Sequence, residues 1–129
     1  MDTKEEWEAY LTSFMKAYNE LPGLSSLLQP IAPLIFQYEI TDKPEMNYWQ
    51  KIEQDKMDWG MGKYSGPDVP TIIHKTDFDT MKKVNSGESD PIQATMEGTY
   101  VVDGDPTKLI ACAPLLPLNP KAHAKAMEK

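Results

Sequence analysis

The side chains in this 129-residue sequence best suited to nucleophilic or metal chemistry are two histidines, His74 and His123, and a single cysteine, Cys112. Neither histidine has a partner at zinc-ligand spacing. His74 stands at a predicted strand end beside Lys75, where a surface or hydrogen-bonded role outweighs catalysis. Cys112 falls within the apolar run 109–116, the setting of an inert buried thiol and not of an activated thiolate. Asp103 and Asp105 flank Gly104 as in a calcium loop, but the further oxygen ligands and the terminal glutamate are missing. They read as a turn and a helix cap. Gly60, Gly62 and Lys63 lack the strand-to-helix context of a phosphate loop. These glycines are the bare face of a strand, or a place where a ligand or another backbone comes close. No catalytic or metal constellation results, and the reading is a non-enzyme without a cofactor.

The elements that must position these residues follow from periodicity and punctuation. Thr3 with Glu6 reads as a capping box, and Trp7, Tyr10, Leu11, Phe14, Tyr18 and Leu21 recur at helical spacing up to Pro22-Gly23. That stripe is core packing, with Phe14 and Tyr18 as candidate cavity wall. Pro30 and Pro33 limit any helix after Leu24 to a turn or two. Leu34, Phe36, Tyr38 and Ile40 then alternate in a β-forming segment. A second strand over 47–54 puts Tyr48 and Ile52 on one face and Trp49 on the other. In 56–64, Met57, Trp59 and Met61 alternate with Asp58, Gly60 and Gly62. The turn Ser65-Gly66-Pro67 leads to a fourth strand over 69–74, with Pro70 near its start or at a sheet edge. Three consecutive hairpin connections predict a mainly antiparallel meander.

The second half predicts helices with short connections. Thr76 is the expected cap of a helix through Phe78, Met81 and Val84 that stops at Ser86-Gly87. Asp90-Pro91 and Asp105-Pro106 each pair an N-cap aspartate with a proline suited to the first helical position. Between these two helices Gly98, Tyr100 and Val102 form a short strand. The order is helix, four strands, helices, strand, helix.

Composition bounds the function classes. A 40% hydrophobic, 26% charged chain of this length suits one folded domain and is too apolar to be disordered. A lone cysteine forms no intrachain disulfide, so a reducing cytoplasm is the expected location. Residues 1–6 are charged, not a signal core, and no apolar run reaches bilayer-spanning length. The net charge of −7 repels phosphate backbones, which argues against nucleic acid as a partner. Docking on an anionic bilayer would need a local patch, for which Lys121, Lys125 and Lys129 are candidates.

Between Pro67 and Leu116, and more weakly back to Phe36, the sequence resembles the sterol carrier protein-2 (SCP-2) domain family. The residues that carry the resemblance are Pro67-Asp68-Val69, Asp77-Phe78, Ser86-Gly87, Asp90-Pro91, Ala94, Met96 and Gly98, followed by Gly104-Asp105. The sequence departs from the family pattern at Pro70-Thr71, at Gly98-Thr99-Tyr100, and at Pro114, Pro117 and Pro120. Those three prolines break the segment that helps close the family's tunnel.

The resemblance implies an α+β fold: a five-stranded, mainly antiparallel sheet with helices packed on one face, enclosing an apolar tunnel. It implies a single SCP-2-like domain over 1–118, followed by a tail over 119–129 whose composition permits a helix. The expected function is intracellular binding or transfer of a sterol, fatty acid, fatty acyl-CoA or phospholipid. A non-catalytic accessory or substrate-presenting subunit for an enzyme of lipid or aromatic-acid metabolism is the alternative. A lipid or other apolar small molecule is the expected partner, with transient membrane contact and a monomeric or weakly dimeric state. The expected tunnel wall is Phe36, Tyr38, Met57, Trp59, Met61, Ile73, Phe78, Met81, Ile92, Met96, Tyr100, Val102, Leu109 and Leu116. A one-residue slip in strand parity would exchange Ile73 for Ile72 and Trp59 for Gly60. Eight methionines, adaptable thioethers, suit an exchangeable apolar occupant, and Met57, Met61, Met81 and Met96 fall on predicted inward faces.

Overall fold

The computed structural model describes residues 3–66 and 69–127. The Pro67-Asp68 strand opening, the last residue of the Ser65-Gly66-Pro67 turn, and Lys129 lie outside the described residues.

Helix α1 spans Lys4–Asn19. Its capping box is present: Glu6 N donates to Thr3 Oγ1 at 3.1 Å and Thr3 N to Glu6 Oε1 at 3.2 Å. The stripe Trp7, Tyr10, Leu11, Phe14 and Tyr18 is buried, and Trp7 Nε1 donates to Met46 O at 3.0 Å. Helix α2 (Leu24–Leu28) ends before the two prolines. Five strands follow in chain order with one break for helices: β1 (Leu34–Ile40), β2 (Tyr48–Ile52), β3 (Met57–Met61), β4 (Thr71–Thr76) and β5 (Tyr100–Asp103).

The sheet order is β3-β2-β1-β4-β5, with β1 and β4 parallel and every other neighbouring pair antiparallel. The predicted meander is therefore corrected: β1–β2 and β2–β3 are hairpins, but the chain then crosses the sheet to put β4 against β1. A parallel neighbour requires such a crossover. Gln37, on the face of β1 away from the helices, holds the crossing segment. Its Oε1 accepts from Tyr64 N at 2.9 Å and its Nε2 donates to Gly62 O at 3.0 Å. Tyr64 packs edge-on against Trp49, and the Trp49 indole covers Gly60 so closely that an added Cβ there would lie 2.7 Å from the ring. At Gly60 the bare face of β3 is thus filled by the protein's own tryptophan, whereas Gly62 has open space beside it.

Helix α3 (Phe78–Ser86) is capped by Asp77, not Thr76. Asp77 Oδ2 accepts from Thr80 N at 3.0 Å, whereas Thr76 is the last residue of β4 and donates its hydroxyl to Thr99 O at 2.6 Å. Helix α4 (Pro91–Glu97) and helix α5 (Pro106–Ala111) start at the predicted Asp-Pro pairs, and Asp103 ends β5. The prolines of the C-terminal segment do not prevent ordered structure. Pro114 lies in a 3-10 turn (Ala113–Leu115), and Pro117 and Pro120 sit at the start of helix α6 (Leu118–Ala126). Helix α6 lies on α1, with Tyr10 Oη and His123 Nδ1 2.8 Å apart and Lys125 paired to Glu20 at 3.5 Å. Gly87, which ends α3 at φ +87°, is also where Pro120 comes close; a Cβ there would meet Pro120 at 2.7 Å.

Candidate ligand cavity

Alternation along the strands sends Phe36 and Tyr38 (β1), Gln50 (β2), Met57 (β3), His74 (β4) and Tyr100 and Val102 (β5) to the helix-covered side of the sheet. Above them lie Met81, Val84 and Asn85 of α3, Pro91, Ile92, Thr95 and Met96 of α4, and Leu109 and Ile110 of α5. Between these two layers is an apolar cavity of about 440 Å³. Tyr18, Cys112, Ala113, Leu115, Leu116 and Asn119 complete its wall. Its volume is in the range of small-molecule sites.

The floor is an aromatic stack built by strand register, since Tyr38 pairs with Tyr48 on one side and His74 on the other. The Tyr38 ring stacks on Tyr48 at 4.4 Å and on His74 at 4.7 Å, and Phe36 meets His74 edge-on at 4.6 Å. Tyr38 Oη donates to Gln50 Oε1 at 2.8 Å, and His74 Nδ1 lies 2.8 Å from Tyr100 Oη. Tyr18 Oη donates to Leu115 O at 3.0 Å, which ties α1 to the C-terminal side of the wall.

Among the described residues, no Lys, Arg, Asp or Glu lines the cavity. Its titratable groups are held neutral by burial, which penalises the charged form. Burial pushes the His74 imidazole down to about 3 and the Cys112 thiol up to about 11, Lys108 pulling the latter back slightly. The hydroxyls of Tyr18, Tyr38 and Tyr100 are raised for the same reason. Burial also raises Tyr48, with Tyr100 adding to the effect and the Asn85 side chain opposing it. Asn85 Nδ2 nonetheless makes no hydrogen bond of good distance and angle. Among the described residues it and His74 Nε2 are buried wall atoms without a partner.

The mouth is apolar and open. Ile92, Met96 and Ile110 line the cavity and are 57%, 78% and 75% exposed, which places them on its rim.

Of the residues expected as wall, Phe36, Tyr38, Met57, Met81, Ile92, Met96, Tyr100, Val102, Leu109 and Leu116 line the cavity, and Trp59, Met61, Ile73 and Phe78 do not. Trp59 and Met61 share the helix-facing side of the sheet but sit on the β3 edge, against the core near α1. Phe78 packs edge-on under Trp7 at 4.9 Å. Ile73 is on the opposite face, because Ile72, His74 and Thr76 share the inward parity of Phe36, Tyr38 and Ile40. Lys75, exposed two residues on, is the signal that the 71-73-75 face points outward. His74 is accordingly a floor residue, taking the hydrogen-bonded of its two expected roles and not the surface one. Met96 is a rim residue, not a buried one. Gln50, Asn85 and Cys112 had no periodic apolar signal that would mark them as wall. Of the lysines considered as a basic patch, Lys125 is engaged by Glu20.

Among the described residues no cluster of His, Cys, Asp or Glu could hold a metal ion, and no helix is long and apolar enough to cross a membrane.

No protein-family model matches the chain, and no curated protein matches it. Solved structures do. The sterol carrier protein domain 2 of Helicoverpa armigera superposes with a TM-score of 0.66 at 13% identity, over 87% of this chain and 86% of that one. The chain has the SCP-2 fold. A protein described as UbiJ-SCP2, a ubiquinone synthesis protein, matches with a TM-score of 0.61 at 16% identity, covering 90% of this chain and 94% of its own. Sterol carrier protein 2 from Yarrowia lipolytica matches at 0.57 and 19% identity, over 75% and 86%. The SCP-2 fold in this chain keeps the five-stranded mixed, mostly antiparallel sheet despite the departures at Pro70 and at the three C-terminal prolines.

Proposed function

We propose that this protein is a non-catalytic lipid-binding protein that holds its ligand in the cavity between the sheet and α3, α4 and α5. The observation that carries the reading is the cavity itself: about 440 Å³ walled mainly by aromatic and aliphatic side chains, with no charged group among the described residues that line it. Burial of apolar ligand surface supplies affinity at about 0.8 kcal/mol per methylene, before the costs of association. Sterols, fatty acids, fatty acyl-CoA and phospholipids share the apolar body such a wall accommodates. The solved structures named for sterol carriage support the same class. The binding unit proposed is a single domain over 1–118, with the 119–129 segment appended to it. The contacts proposed are Phe36, Tyr38, Met81, Tyr100, Val102, Leu109 and Leu116, with Ile92 and Met96 at the entrance. A cytoplasmic, monomeric or weakly dimeric carrier that touches membranes transiently completes the proposal.

The exposed apolar rim favours a second reading, in which a protein partner seats on Ile92, Met96 and Ile110 and the domain presents substrate to an enzyme. The description of one structural neighbour as a ubiquinone synthesis protein is in keeping with that role.

The test is a substitution that fills the cavity from its edge. Val102 is half-buried on the edge strand β5, opposite His74. Val102→Trp should leave the far-ultraviolet circular dichroism unchanged and abolish uptake of a fluorescent sterol or acyl probe. Unchanged uptake by the folded variant would show that the ligand lies elsewhere.

A further inference from the structure

Two independent features limit what kind of lipid the cavity can take. The first is its wall. Among the described residues none of the lining side chains carries a formal charge, so an ionised carboxylate, sulfate or phosphate drawn inside would meet no counter-charge from them. Leaving an ionised group buried without a partner is among the costliest arrangements in a protein. What the wall does offer is neutral polar atoms: Gln50, Asn85 and the Tyr38, Tyr100 and His74 cluster, with Asn85 Nδ2 making no well-aligned hydrogen bond among the described residues. Such groups suit a hydroxyl or a carbonyl.

The second feature is the mouth. A lipid could instead keep an anionic headgroup hydrated outside, at the rim formed by α4 and α5, where the local charge decides whether it is favoured or repelled. The segment that carries Ile92, Met96 and Ile110, residues 86–110, has five exposed carboxylates, Glu88, Asp90, Glu97, Asp103 and Asp105, against one lysine, Lys108. Two of them cap the very helices that bear the rim residues. A headgroup waiting at this mouth meets an excess of like charge, within a chain whose net charge is already −7.

We propose that the cavity selects uncharged lipids, those whose polar end is a hydroxyl, ester or carbonyl, and discriminates against lipids with an ionised headgroup. This inference rests on the lipid-binding reading and narrows it. The neutrality of His74 and Cys112 extends the selectivity across the physiological pH range.

Two matched pairs test it: hexadecanol against palmitate, and cholesterol against cholesterol sulfate. Each competes with a neutral fluorescent lipid for the full-length protein at pH 8. The uncharged member of each pair should bind at least about tenfold more tightly. The palmitate gap should narrow as the pH falls and the acid becomes protonated. Binding of palmitate and cholesterol sulfate as tight as that of their uncharged partners would overturn the selectivity while leaving lipid binding intact. If no member of either pair binds, the lipid reading itself fails and the selectivity with it. As a gain-of-function arm, Glu88→Lys with Glu97→Lys changes two exposed rim-segment residues outside the cavity wall and should raise palmitate affinity several-fold without altering that of hexadecanol. An unchanged ratio would contradict the electrostatic part of the argument.

Discussion

His74 stacks on Tyr38 and contacts Tyr100 in the cavity floor, where burial pushes its imidazole down to about 3 from an ordinary value of 6.5. Between those two values the unfolded chain holds a proton that the folded chain does not. Stability therefore falls as the pH drops below 6.5, by about 1.4 kcal/mol per pH unit from this residue alone, and levels off near the folded value. His74→Phe keeps an aromatic ring in the stack and removes the titration. In urea unfolding at pH 7.5 and 4.5, the natural protein should lose about 2–3 kcal/mol more stability than the variant. Equal losses would mean that His74 titrates freely in the folded state. His74 also marks where residue-level reading of the sequence falls short. The β4 parity that turns it inward is set by pairing with β1, and an apolar scale favours Ile73 over a histidine as wall. Gln50 and Asn85 were illegible for the same reason, being polar side chains whose place in the wall depends on neighbours far away in the chain.

Elements whose ends carry their own chemistry were readable. The capping box of α1 and the Asp-Pro starts of α4 and α5 act within a turn of helix, so local sequence suffices to locate them. The crossover before β4 was not readable. It depends on Gln37 bonding to Gly62 and Tyr64 across the sheet, and nothing in the turn residues of 62–70 distinguishes that path from a hairpin. Helices α4 and α5 also carry the account's claim about entry. Ile92, Met96 and Ile110 are too exposed to contribute much to the core, so changing all three to Ser should alter stability by only about 0.5 kcal/mol per site. The same triple variant should slow the uptake of a neutral fluorescent lipid from uncharged vesicles. Uptake at the natural rate would show that lipid enters by another route.

At the scale of the whole molecule, the fold was legible because several weak signals occur in order: Asp77-Phe78, Ser86-Gly87, Asp90-Pro91, Gly98 and Gly104-Asp105 each terminate or start an element in the structure. Sheet order was less legible than element order, since a parallel pair joins strands distant in sequence. The cavity wall was legible on β1, β5, α4 and α5, where apolar alternation and position agree. It failed at Trp59, Met61 and Phe78, inward-facing residues that serve the core around Trp7 and α1 instead of the cavity, while Met57 of the same strand β3 does line it. Acidity belongs to this scale too. On the proposed reading, a net charge of −7 around an apolar mouth should favour uncharged lipid over anionic lipid. The central claim is that the protein carries a lipid in this cavity. Native mass spectrometry of the purified full-length protein after incubation with neutral lipids, paired with solvent extraction, addresses it directly. The account predicts one lipid molecule retained per chain, lost in Val102→Trp. A chain that remains at its bare mass with every lipid offered would contradict it.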